Sequence, residues 1–213
     1  MKKIFLGLFL LSIGFTKIGF CQSKSDLFKK SSVPIVWLGV DFSHVKLIGD
    51  FSQFFNAGEK STNEIRDRYF TEWNQLILSE PAKYNLEGML RKDAIQMDIE
   101  MIEQLNLTTP LENLEASNTP KYNLDSIKRF VSAYNIASAE KIGIAFIAES
   151  LNKNKKEAYF HFIAINLNNK EILVHERLRG EPAGFGLRNY WAGSIYRIMK
   201  DIEKIYYKKW KKE

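Results

Sequence analysis

Three histidines, a few acids set in apolar stretches and one glycine-rich loop are the parts of this 213-residue chain with types and spacing suited to chemistry. Asp41-Phe42-Ser43-His44 follows an apolar run, while His161 and His175 stand apart further along. Three imidazoles and a carboxylate form a zinc-type donor set. Here they fall on three separate segments without an HExxH or comparable spacing to converge them, so no metal ligand and no cofactor are expected. His161 alternates with Ile163 and Ile165, the pattern of a histidine packed in a core. Ser43 and His44 are neighbours in the chain, whereas a hydrolase triad needs adjacency in space. No Gly-x-Ser-x-Gly elbow occurs, and the single cysteine, Cys21, lies at the end of a leader. No catalytic residue is assigned. What remains for hydrolysis or group transfer is a carboxylate pair, with Asp41, Glu149 and Glu176 as its sources. Glu149 and Glu176 are expected on neighbouring strands.

Gly184-Phe185-Gly186-Leu187-Arg188-Asn189 lies between an expected strand and an expected helix, where free backbone amides can cradle an anion. Arg188 would add a two-pronged donor for a carboxylate or phosphate. Gly184, Gly186, Arg188 and Asn189 are therefore the candidate binding residues. The competing reading is a tight turn whose glycines take positive φ and let the helix approach the sheet. Asn189 stands where a dinucleotide fingerprint requires its last glycine, and no P-loop lysine is present. Trp191 belongs to a core by its helical spacing. Tyr207 and Trp210, among Lys208, Lys209, Lys211 and Lys212, are expected to be exposed and suit a membrane surface or an acidic partner.

These residues need elements to position them. Ile35 to Phe42 reads as a strand buried on both faces. Ser61-Thr62-Asn63-Glu64 is a capping box, followed by Ile65, Tyr69, Trp73, Leu76 and Ile77 at helical spacing, and Pro81 ends that helix. Gly49 to Gly58 reads as a loop, and the alternation Ile95, Met97, Ile99, Met101 predicts a strand with one wet face. Thr108 to Pro120 is linker-like, and Asn123 caps a helix carrying Leu124, Ile127, Val131 and Tyr134. Residues 142–151, 159–167 and 171–179 form three strands joined by short polar turns, an antiparallel meander. A terminal helix then carries Trp191, Ile195, Ile198, Ile202 and Ile205 on one face. The fold class is α/β (α+β), with a mixed sheet of about five strands in the order β-α-β-α-β-β-β-α and helices packed on it.

Ser138-Ala139-Glu140-Lys141 before an apolar strand, Ala164-Ile165-Asn166-Leu167-Asn168-Asn169-Lys170-Glu171-Ile172-Leu173, and the glycine loop leading to a helix resemble certain bacterial envelope domains. These are the curli-secretion lipoproteins, the lipoprotein activators of penicillin-binding proteins and the N-terminal domain of TolB. Their last two strands are commonly joined by an aspartate-x-x-threonine-glycine-glutamate turn. Asn166, Asn169, Lys170 and Glu171 occupy that turn here, without the acid and the glycine. The resemblance spans roughly residues 33–205 by element order, and it implies a fold and a compartment rather than an activity.

Met1-Lys2-Lys3 and the apolar run Ile4 to Phe15 make an export signal, too short for the roughly 20 apolar residues of a spanning helix. Cleavage after Cys21 is the expected processing, with lipidation of Cys21 and retention of the leader as alternatives. Either cleaved form leaves the mature fold without an internal disulfide, so it depends on its apolar core. The formal net charge of +6 arises entirely from the leader lysines and the lysine tail. Residues 22–207 hold equal numbers of acids and bases, which argues against nucleic acid as a partner. The expected organisation is a signal peptide (1–21), a flexible lead-in (22–32), one α/β domain (33–207) and a basic tail (208–213). The expected function is an exported, non-catalytic envelope protein that binds an envelope protein or cell-wall component, in the periplasm or on the outer side of the inner membrane. An envelope hydrolase or transferase with a carboxylate pair is the alternative. Association with a membrane surface would come through lipidation or the basic tail. The oligomeric state is not legible.

Overall fold

The computed structural model describes residues 24–51, 61–136 and 142–212. The export signal, Cys21 and most of the segment from Gly49 to Gly58 lie outside the described residues. No described helix is long and apolar enough to cross a membrane.

Strands β1 (Ile35–Asp41), β2 (Lys46–Ile48), β3 (Gln96–Met97), β4 (Ile142–Asn152), β5 (Glu157–Asn166) and β6 (Ile172–Gly180) form one mixed sheet in the order β3-β1-β4-β5-β6, with β2 also paired to β4. β1 runs parallel to β3 and β4, and the C-terminal three strands are the expected antiparallel meander. Side chains alternate across this sheet and divide the core in two. One layer contains Trp37, Val40, Ile144, Phe146, Phe160, Phe162, Val174 and Leu178. The other contains Val36, Leu38, Ala145, Ile147, Ile163 and Ile165.

Six segments cover the first layer: α1 (Lys24–Lys29), α2 (Thr62–Glu64) with its π-helical continuation Ile65–Tyr69, α3 (Phe70–Ser79), α4 (Leu86–Leu90), α7 (Gly186–Asp201) with a π-helical continuation Ile202–Tyr206, and α8 (Tyr207–Lys212). Ile102 of α5 (Glu100–Leu107) and Ile127 and Val131 of α6 (Leu124–Ser132) cover the second. The capping signals act as read. Ser61 Oγ accepts from the Glu64 amide at 3.1 Å, and Asn123 Oδ1 accepts from the Ser126 amide at 2.9 Å.

Several expectations change. Only Gln96 and Met97 of the alternating stretch pair as a strand, after which α5 begins at Glu100. Period two over a few residues does not decide between states when a helix can bury Ile102 against the sheet. The lead-in contains helix α1, because Leu27 and Phe28 give it an apolar face that packs under the C-terminus. Phe28 meets Tyr207 edge-on at 5.4 Å. Tyr207 and Trp210 are buried, not exposed: Trp210 stacks on Phe162 at 4.9 Å, and its Nε1 donates to Glu176. The basic tail thus closes the core with its aromatics and turns Lys208, Lys211 and Lys212 outward. Ile205 is exposed, since the π-helical turn rotates it off the Trp191–Ile198 face.

β1 positions the polar side of the second layer. Beyond Trp37 its outer edge has no partner strand among the described residues, and the register slips at Gly39, which sits at φ 107°. Two buried asparagines replace the missing strand. Asn74 of α3 accepts from the Val40 amide at 2.7 Å and donates to its carbonyl, while Asn106 of α5 accepts from the Phe42 amide at 2.6 Å and also donates to Val40 O. Each carboxamide mimics a peptide group and satisfies the edge amides of Val40 and Phe42. Asp41 is thereby fixed opposite Ile147, on the side of the second layer.

Candidate functional site

The densest polar constellation lies on the second-layer face of the meander. His161 on β5 is cross-strand from Ile147 and Arg177, and His175 is cross-strand from Ile163. On β4 the register shifts between Ala148 and Ser150, leaving Glu149 as the extra residue of a bulge. That placement brings its carboxylate to three elements. Oε2 takes a hydrogen bond from His161 Nε2 at 2.9 Å and one from the Tyr122 amide at 3.2 Å. Arg177 donates from Nε at 3.0–3.1 Å to both oxygens and from Nη2 at 2.5 Å to Oε1. The guanidinium also lies 3.7 Å from the centre of the Tyr159 ring. Glu149 and His161 are fully buried, while Arg177 reaches solvent.

Beyond His161 the chain of contacts continues. Its Nδ1 lies 2.8 Å from Nε2 of His175, and the two ring planes are 15° apart with centroids at 5.1 Å. Burial would raise the Glu149 pKa, but hydrogen bonds from His161, Arg177 and the Tyr122 amide together hold it below the usual carboxylate value. Arg177 is raised by the same contact with Glu149. Burial and then the neighbouring His161 push His175 below its ordinary value. The Tyr122 phenol, also through burial and then Glu149, is pushed up to about 12.

A second cluster sits on the same face at the end of β1. Asp41 accepts from Tyr134 Oη at 2.7 Å, and from the amide and hydroxyl of Ser43 at 2.8 and 2.5 Å. His44 stacks on Phe130 of α6 at 3.5 Å, and burial lowers its pKa against the opposing pull of Asp41. Tyr122 ties the clusters together, donating from its hydroxyl to the His44 carbonyl at 2.7 Å. Among the described residues, no group of three or more His, Cys, Asp or Glu is placed to hold a metal ion.

The carboxylate pair does not assemble as expected. β5 lies between the strands of Glu149 and Glu176, and Glu176, cross-strand from Phe162, faces the first layer. There it accepts from Lys209 and Trp210. The two acids are therefore not on neighbouring strands: a three-strand meander separates its first and last members, and side-chain alternation sends these two acids to opposite faces. His161 is buried as expected, and residue spacing does not point to its contacts with Glu149 and His175. The one available clue was that Glu149 interrupts an otherwise apolar strand.

The four candidate binding residues meet at one junction, with Gly184 in the loop before α7 and Gly186, Arg188 and Asn189 in the first turn of that helix. Gly184 at φ 125° and Gly186 at φ 77° take the left-handed conformations foreseen for a turn. A Cβ on Gly184 would stand 3.0 Å from the Asn189 carbonyl, whereas one on Gly186 would meet nothing within 4 Å. Asn189 Nδ2 donates to the Phe185 carbonyl at 3.3 Å, and the Ala183 amide donates to Tyr190 O. Arg188 is exposed, with Nε 4.0 Å from Glu72, and its carbonyl accepts from Trp73 Nε1 at 2.9 Å. Phe185 projects between the two glycines and is 73 % exposed.

Comparisons of the chain with protein-family models, curated proteins and solved structures gave no match.

Proposed function

We propose that the protein is an exported, non-catalytic domain of the cell envelope that binds another envelope component through the loop and first turn of α7 at residues 181–189. The observation that carries this reading is Phe185, the most exposed large apolar side chain among the described residues. A rigid aromatic ring on a turn anchored by Trp73 is a preorganised contact, and aromatic anchors dominate binding energy at protein interfaces. Arg188 beside it supplies a donor for a carboxylate or phosphate of the partner. The export assignment rests on Met1 to Cys21.

Binding is favoured over catalysis because the buried acids are fully engaged. Both oxygens of Glu149 and both of Asp41 are held by fixed donors. A catalytic carboxylate needs an oxygen free to meet a proton or a reacting carbon.

Photocrosslinking in intact envelopes tests the reading. A photoreactive amino acid at position 185 should give one discrete adduct that a neighbouring Arg188→Ala change weakens, while the same probe at exposed Ile205 gives none. Equal or absent labelling at both positions would remove the loop as the contact. Mass analysis of the mature N-terminus checks export, with Gln22 as the first residue expected.

A further inference from the structure

Glu149, paired with Arg177, is ionised and can only accept hydrogen bonds. His161 must therefore donate to it through Nε2–H, which leaves its Nδ1 as a lone pair. Nδ1 lies 2.8 Å from Nε2 of His175, so His175 donates there and keeps its own Nδ1 as a lone pair. That last atom has no hydrogen-bond partner among the described residues. His175 is itself only half-buried, and this atom is not one of the enclosed polar atoms that lack a partner among the described residues. One basic nitrogen at the end of a fully ordered chain is open to solvent.

We propose that His161 and His175 form a one-proton binding site, entered through Nδ1 of His175. A first proton at that atom leaves every hydrogen bond in place, because His175 still donates from Nε2 and His161 still accepts. Its charge is shared along the chain toward Glu149. A second proton has only Nδ1 of His161 to occupy, and there two N–H groups would point at each other across 2.8 Å. The second proton therefore breaks the contact between β5 and β6 side chains and exposes the buried end of the chain.

The surroundings set the charge balance. Glu149 from β4 is offset by Arg177 from β6, whose guanidinium lies over the Tyr159 ring of β5, and burial keeps the Tyr122 phenol neutral. Glu176 of β6 favours the charged form of His175 from across the sheet. The face is covered by Ile127 and Val131 of α6, whose charged Asp125, Lys128 and Arg129 are all exposed, and by Ile102 of α5. No uncompensated acid is there to hold a second proton. Burial and the adjacent ring also place the uptake below the ordinary histidine range.

Imidazole nitrogen NMR of the intact protein tests this directly. At neutral pH both rings should show the tautomer protonated at Nε2, and on acidification the pair should take up one proton in a single step before unfolding. His175→Gln should abolish that step, and His44→Gln should leave it unchanged. Two independent protonations in the folded protein, a His161 ring protonated at Nδ1 at neutral pH, or no uptake before unfolding would each overturn the proposal. The tautomer measurement needs no variant, so it decides even if His175→Gln fails to fold.

Discussion

Glu149 is the residue that the β4 bulge leaves without a cross-strand partner, and its carboxylate meets the His161 imidazole at 2.9 Å instead. One irregularity in an otherwise apolar strand thus organises three strands and the segment before α6. Such a group is costly to bury unless it is fully paired, and here each of its oxygens is.

Replacing it tests that pairing. Glu149→Gln should destabilise the fold by about 2–3 kcal/mol, less than the roughly 3–5 kcal/mol of fully buried pairs because Arg177 can turn to water. The pH dependence has a definite sign. A carboxyl whose folded pKa is depressed contributes stability above its unfolded pKa and loses it as pH falls through the folded value. The wild type should therefore lose stability more steeply than Glu149→Gln below about pH 4, the unfolded carboxylate range. Urea midpoints measured across that interval check it, and parallel slopes would count against an ionised, paired Glu149.

Much of this was legible beforehand, and the failures have physical causes. β4, β5 and β6 announce themselves through apolar and aromatic stretches bounded by polar turns, and Ser61 and Asn123 mark helix starts as capping side chains. Tyr207 and Trp210 look exposed in the sequence because the lysines around them are hydrophilic, while in the fold the rings point to the other side of the same helix. The Glu149–His161–His175 chain was invisible because residue spacing says nothing of bulges. An irregularity in strand register changes which side chains meet, and no periodicity records it.

Tyr134 offers an independent probe of the second polar cluster. Burial, then Asp41, raises its phenol pKa well above 10. A folded pKa raised in this way contributes stability that is complete below the unfolded pKa near 10 and fades above it. Ultraviolet absorbance should show the Tyr134 phenolate forming only as the protein unfolds in alkali, and Tyr134→Phe should remove that component. The same variant should cost about 1–3 kcal/mol by leaving one buried Asp41 oxygen without its donor. Free titration of this phenol in the folded state would contradict its enclosure.

Two glycines let α7 lie close to the chain that precedes it. A Cβ on Gly193 would stand 2.2 Å from the Ala183 carbonyl, and one on Gly180 would stand 2.4 Å from the Ser194 carbonyl. Both obstacles are backbone atoms, which cannot rotate aside. Gly193→Ala should then destabilise by about 1–3 kcal/mol, against the usual gain of an alanine within a helix. Thermal unfolding reports the change; a stabilised Gly193→Ala would mean the helix can shift outward without loss.

Trp191 anchors that helix, buried at 1 % exposure and stacked on Phe51 at 5.6 Å, with Ile195 and Ile198 continuing the same face. Trp191→Ala should cost about 3–5 kcal/mol, as expected when a large core ring is removed. Its Nε1 is nevertheless enclosed without a partner among the described residues. An unpaired buried donor carries a penalty of about 1–3 kcal/mol that Trp191→Phe removes along with the indole. The phenylalanine variant should thus fall well under half the loss of the alanine one, since the smaller cavity is offset by the vanished N–H. Denaturant midpoints of the two variants decide the matter. Equal losses would mean that the shape of the indole, and not its apolar surface, holds α7 against the sheet.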